Sequence, residues 1–277
     1  LAATLLALMA REGIASAQPH RWLGAGGTPT TDEEYTGAIT LSPSQFERAL
    51  ACPLRWFLTT IGADAPSNAA ASLGTLIHAV AEEHPHGTPE ELTEALEARI
   101  EELGYNLDTW AGRVADRHAR DIVNNLASYV IGVPGEVTVE QTVSAEVEGV
   151  TIRGRMDRLE HVDEGVRVTD LKTGKSGYSA KTVPDNPQLA AYQMAMLASG
   201  ERVAGARIAL LGGDKPKYFD QPRLEGQVLE EWHDKLRSVS ADARGPYFEA
   251  RPSDAACAYC SFERLCPARE RGRKVVE

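Results

Sequence analysis

From Val137 onward the hydrophobic pattern changes period, and that switch restricts the fold more than any other feature of the chain. Val137, Val139, Val143, Ala145 and Val147 alternate with Thr138, Glu140, Thr142, Ser144 and Glu146, the period-two signature of a half-buried strand. Glu140 falls on the polar face, which reads as solvent-exposed or supporting rather than metal-ligating. A turn at Glu148-Gly149 leads to a second strand over Val150–Glu160, and a third follows over Val166–Lys172. Beyond it the spacing predicts a helix over Gln188–Ser199, a strand over Val203–Leu211 and a late helix over Leu229–Ser240. Three strands, a helix and a strand make an α/β fold with a small mixed sheet flanked by helices, the last helix–strand pair serving as a parallel crossover.

Upstream the chain is helical. Ser42 can cap a helix, Pro43 suits its first position and Gln45 can close a capping box. Pro53 then forces a break or restart just after Cys52. Further helices are expected around Leu73–Glu83, Pro89–Leu103 and Trp110–Val130. Leu1–Ala17 reads as a short helix, and 18–37, rich in Gly and Thr, as a linker. Residues 1–37 are therefore expected to be a tail and linker from a preceding domain, and 38–277 the domain proper. Ala15-Ser16-Ala17 mimics a signal-peptidase site, but no basic region precedes it and Arg11-Glu12 interrupts the approach. Without an initiator Met, a piece of a longer cytoplasmic polypeptide is the expectation, and no stretch is long enough to span a bilayer.

Hydrophobic residues form 43% of the 277 and charged ones 25%, ordinary for a globular chain. The net charge of -11 argues against a protein that simply coats nucleic acid. It leaves room for local basic stretches such as Arg113/Arg117/Arg120, Lys172/Lys175/Lys181 and Arg269, Arg271, Arg273 and Lys274.

The segment Val166-Arg167-Val168-Thr169-Asp170-Leu171-Lys172-Thr173-Gly174 carries the chemistry. On a strand Asp170 and Lys172 share a face, where a carboxylate and an ammonium can bind a divalent cation and orient an attacking water. Thr173-Gly174-Lys175-Ser176 resembles the end of a phosphate loop, but that motif needs Gly where Thr169 stands. Gly154-Arg155-Met156-Asp157 adds a carboxylate one hairpin away, and Gly74-Thr75-Leu76-Ile77-His78 adds an imidazole. Two carboxylates and a histidine suit Mg²⁺ or Mn²⁺, the imidazole favouring Mn²⁺. Gln188 and Tyr192, four apart on a helix, can flank the same site. The four cysteines are Cys52 and the cluster Cys257-x-x-Cys260-x5-Cys266. Their spacing suits zinc or an iron–sulfur cluster equally.

The ordered set G-x-x-x-H, G-x-x-D, D-x-K-T-G and Q-x-x-x-Y resembles the PD-(D/E)xK nucleases of the RecB family, from about Ser42 to Cys266. The resemblance implies a restriction-endonuclease-like core in which His78, Asp157, Asp170 and the Leu171 carbonyl hold the metal. It further implies that Lys172 positions the water, while Gln188 and Tyr192 hold the strands or the DNA. One cysteine before these motifs and three after them is similar to the iron–sulfur staple of AddB-type and AdnAB-type helicase–nucleases. That implies a structural [4Fe-4S] cluster on Cys52, Cys257, Cys260 and Cys266, with zinc as the alternative. The implied activity is metal-dependent hydrolysis of DNA, mainly single-stranded, in double-strand-break end resection. The implied partners are helicase domains in the same chain or in a partner subunit of a heterodimer, and no membrane. The alternatives are a stand-alone exonuclease of CRISPR adaptation, a catalytically silent cluster-bearing DNA-binding module, and a zinc-stapled protein-interaction domain.

Overall fold

The computed structural model describes residues 2–18, 33–63, 69–133, 135–263 and 265–269. Most of the expected linker and the basic residues Arg271, Arg273 and Lys274 lie outside the described residues.

In chain order the elements are α1 (Ala2–Arg11), β1 (Ile39–Leu41), α2 (Pro43–Ala51), α3 (Pro53–Thr60), α4 (Ala69–Glu83), α5 (Pro89–Glu97) and α6 (Trp110–Gly132). They continue with β2 (Val137–Val147), β3 (Val150–Val162), β4 (Gly165–Lys172), α7 (Pro187–Ala198), β5 (Val203–Leu210), β6 (Lys217–Pro222), α8 (Gly226–Ala243) and α9 (Asp254–Cys257). The capping box at Ser42 forms in both directions, an arrangement worth about 1 kcal/mol to a helix. Pro53 restarts the helix after Cys52, whose extended backbone ends α2 and opens α3. The helix expected over Pro89–Leu103 stops at Glu97. A separate 3₁₀ turn over Ile100–Leu103 follows and closes on left-handed Gly104.

β3 is the spine of the sheet. β2 pairs along one of its edges antiparallel, while the other edge takes β1 at Val150–Ile152 and β4 from Arg158 onward. β4 and β5 run parallel, with α7 as the crossover between them, and β6 closes the far edge antiparallel to β5. Two short strands carry no periodic signal: Ile39–Leu41, too brief for a period, and Lys217–Pro222, mostly exposed with Gln221 alone fully buried.

Helices cover both faces. α2, α7 and α8 bury Phe46, Leu189, Met194, Trp232 and Leu236 against Ile152, Val168 and Ile208. α4, α5 and α6 bury Ile77, Leu92 and Leu126 against Leu171, Ala209 and Leu211. The odd–even alternation along β4 thus feeds two cores, and removing each such side chain from water is worth roughly 1.5–3 kcal/mol. Gly154 is required by close approach: a Cβ there would lie 2.7 Å from Pro43 Cδ and 3.0 Å from Tyr192 Cε1. Among the described residues no helix is long and apolar enough to cross a membrane.

Candidate active site

The site lies at one end of the sheet, where β2, β3 and β4 meet α4 on one face and α7 on the other. Register builds it. Val139 pairs with Arg158 and Gln141 with Met156, which leaves Glu140 opposite Asp157. Arg158 pairs with Thr169, so one step further along the same register Asp157 stands opposite Asp170. Three carboxylates therefore share one rung across three neighbouring strands.

α4 delivers His78 from above. Its Nδ1 is 3.1 Å from Asp157 Oδ1, while Asp157 Oδ2 accepts the Leu171 N–H at 2.7 Å. Burial depresses the His78 pKa, but the Asp157 hydrogen bond and charge outweigh it and leave it raised. One ligand atom each from His78, Glu140 and Asp157 lie within 4.8 Å of one another, among the described residues the one such group able to hold a metal ion.

Of the two places strand alternation offers Glu140, exposed or supporting, the structure shows the second. Its side chain is 12% exposed and ion-paired with Arg155, which also reaches Glu82 at 3.1 Å. The cause is its backbone: φ of 53° at Glu140 breaks the regular pleat and turns the carboxylate toward Asp157. The signal was present in the hairpin register, since a turn at Glu148-Gly149 sets Glu140 across from Asp157.

Asp170 and Lys172 do share a face, toward α7. Lys172 Nζ lies 2.8 Å from Asp170 Oδ2, and Gln188 bridges them, donating from Nε2 to Asp170 Oδ1 at 2.7 Å and accepting from Lys172 at 3.1 Å. Burial lifts the Asp170 carboxyl to about 6 against the pull of the Lys172 ammonium. Burial alone would lower the lysine, but the Asp170 charge more than reverses it. A lysine held protonated cannot accept a proton from water. Its available role is electrostatic, facing negative charge that develops on a phosphate.

Tyr192 stands deeper than a DNA contact would. Its hydroxyl donates to the Arg155 carbonyl at 2.8 Å and it is 6% exposed, so it braces β3 just before Asp157. Leu171 puts its side chain into the core and its N–H on Asp157.

A divalent cation fits this donor set. Carboxylate oxygens with one imidazole suit Mg²⁺ or Mn²⁺. Asp170 Oδ2 is fully buried, with the Lys172 ammonium 2.8 Å away as its charged neighbour. When bound, such an ion polarises a phosphoryl oxygen and supplies hydroxide at neutral pH.

The cysteines sit elsewhere. Cys52, Cys257, Cys260 and Cys266 are all free and half-buried. Cys52 meets the C-terminal segment, its Sγ 4.0 Å from the Glu249 carbonyl while Arg55 donates to the Ala256 carbonyl at 2.8 Å, but no three of the cysteines have their sulfurs within 4.8 Å of one another among the described residues. A hydrogen bond from Arg269 lowers the Cys257 thiol pKa.

Two solved structures align with the chain. The protein SSO0001 aligns with a TM-score of 0.42 and 14% identity, covering 96% of this chain and 95% of its own. A candidate exonuclease from Eubacterium rectale aligns with a TM-score of 0.48 and 12% identity, covering 84% and 94%. No curated protein matches the sequence significantly. Residues 40–267, from β1 through the last cysteine, match the PD-(D/E)XK nuclease superfamily. The mixed sheet, the carboxylates of β3 and β4 and the adjoining lysine stand inside that match, and the chain belongs to the PD-(D/E)XK nuclease superfamily.

Proposed function

We propose that the chain hydrolyses phosphodiester bonds in DNA, chiefly single-stranded DNA, as the nuclease part of a helicase–nuclease that resects double-strand breaks. The observation that carries the hydrolytic reading is the rung of Glu140, Asp157 and Asp170 beside a lysine held cationic. His78, Asp157, Asp170 and the Leu171 carbonyl would hold the metal, and Glu140, whose carboxylate lies within 4.8 Å of a ligand atom on His78 and on Asp157, would join them. Lys172 would stabilise charge on the scissile phosphate, with Gln188 fixing its position relative to Asp170. None of these roles needs a nucleotide, so ATP would act only through a separate motor in the same chain or a partner subunit. The resemblance of the cysteine arrangement to AddB-type and AdnAB-type enzymes supports that setting.

In the same reading Cys52, Cys257, Cys260 and Cys266 carry a [4Fe-4S] cluster. The meeting of α3 with the segment 249–257 supports it, because a shared ligand set there would clamp residues 197 positions apart. The cluster would be structural and stand apart from hydrolysis.

The experiment is digestion of labelled single-stranded and duplex DNA by the purified chain with Mg²⁺ or Mn²⁺ and no nucleotide. Digestion of the single strand that stops with chelator supports the reading. Cleavage by the chain alone that strictly requires ATP contradicts it.

A further inference from the structure

The reaction centre has two flanks of opposite character. On one side, a pocket of about 520 Å³ is walled by Glu82, Glu140 and Asp157 with Arg155 and His78, and it suits a cation. On the other, a groove of about 470 Å³ starts at Lys172 and Gln188 and runs between α2–α3 and the segment 253–256. Arg48, Arg55 and Lys172 line that groove against a single carboxylate, Glu47, which is held by Asn186 Nδ2 at 3.3 Å. Ser44, Glu47, Arg48 and Ala51 recur at helical spacing, so one face of α2 forms the wall. Among the described residues the Arg48 guanidinium makes no hydrogen bond and no ion pair within 4 Å, its carbonyl alone accepting the Cys52 N–H. Tyr178, half-buried beside Lys172, supplies an aromatic ring to the same surface.

We propose that this groove seats a single DNA strand on one side of the scissile phosphate, with Arg48 and Arg55 on its phosphates and Tyr178 against a base. A cationic wall that tracks phosphates, combined with an aromatic face, is how proteins hold single strands without reading sequence. The protein's overall charge of -11 makes such a local track necessary. Continuity with Lys172 gives the strand its direction into the site. This assignment rests on the nuclease reading and adds the path of the substrate to it. Arg55 is already tied to the Ala256 carbonyl, so the free guanidinium of Arg48 is the residue to test.

The test compares wild type, Arg48→Ala and Arg48→Lys, with Lys217→Ala as a control on the exposed far edge of the sheet. The first readout is single-turnover cleavage of a fluorescein-labelled oligodeoxythymidylate. Arg48→Ala should raise the half-saturating protein concentration about tenfold while leaving the maximal rate within about twofold, because the contact is made equally in ground and transition states. Anisotropy in chelator across a salt series should show its log–log slope falling by about 0.7, one phosphate contact on a single strand. Arg48→Lys should recover most of the affinity, and Lys217→Ala should match wild type. Unchanged half-saturation and slope in Arg48→Ala would overturn the groove assignment. So would an equal loss in Lys217→Ala, or a loss confined to blunt duplex DNA. Should wild type fail to cut at all, the nuclease reading fails, and the anisotropy comparison still decides whether the groove binds a strand.

Discussion

Asp157 and Leu171 are joined across β3 and β4 by a 2.7 Å hydrogen bond from the Leu171 N–H to the Asp157 carboxylate. One oxygen of Asp157 thereby ties the strands together, and the other faces His78 at 3.1 Å. The two duties separate in Asp157→Asn, whose amide oxygen can still accept the Leu171 N–H but offers no anionic oxygen. Melting temperature should stay within a few degrees of wild type, while cleavage falls by at least about a hundredfold. Thermal shift and single-turnover rates check this. A loss of fold matching the loss of rate would mean that Asp157 is chiefly structural.

Lys172→Ala should cut the single-turnover rate about 10²–10³-fold with little effect on DNA affinity, because its charge matters where the transition state becomes more negative. Gln188→Ala should give a smaller loss of the same kind, since Gln188 holds Lys172 and Asp170 in register without itself carrying charge. Equilibrium binding measured beside the rates separates the two effects. A Lys172→Ala defect that lies wholly in binding contradicts the assigned role.

Asp170 makes the metal-free protein sensitive to pH. Its carboxyl is raised by burial from 3.8 to about 6. A group with a raised folded pKa favours the fold most below its unfolded value, and that contribution is lost as pH rises through about 6. In chelator, the stability of wild type relative to Asp170→Asn should therefore decline across that window and level off above it. Divalent metal should reverse the trend, because only the ionised carboxylate binds it. Scanning fluorimetry over pH, with and without Mn²⁺, tests both halves. A difference between the two proteins that is constant with pH would contradict the cause given for the shift.

Cys52 reaches the C-terminal segment through contacts with Glu249 and, one turn on, between Arg55 and Ala256. Protein purified without oxygen should be brown and contain iron and acid-labile sulfide. Replacing any one of Cys52, Cys257, Cys260 or Cys266 with Ser should lower stability by several kcal/mol, the scale expected when a long loop loses its closure. Colourless protein with stoichiometric zinc and no sulfide would move the staple to the zinc alternative.

Most of the sheet and the outline of the site were legible because both are local. Alternation from Val137 to Val147 gave β2, and two residues on one strand face placed Asp170 beside Lys172. The parallel crossover followed from a helix between two strands. Alternation could not tell an exposed Glu140 from a supporting one because it assumes a regular pleat, and the backbone of Glu140 leaves that region at φ of 53°. The division of labour between Gln188 and Tyr192 was equally hidden. Four-residue spacing puts both on one helix face, but only tertiary packing sends Gln188 to Asp170 and Tyr192 to the Arg155 carbonyl. The groove beyond Lys172 joins α2, α3 and a segment some two hundred residues later, a proximity with no local signature.

The most direct measurement is single-turnover cleavage of labelled single-stranded DNA by wild type and Asp170→Ala, side by side in Mg²⁺ or Mn²⁺ without ATP. The substitution removes a carboxylate from the rung while leaving both cores intact. With metal-activated water as the nucleophile, wild type should digest the strand and stop when chelator is added. Asp170→Ala, folded by circular dichroism, should be slower by more than about a thousandfold. Digestion by Asp170→Ala at the wild-type rate would contradict the assignment of this site.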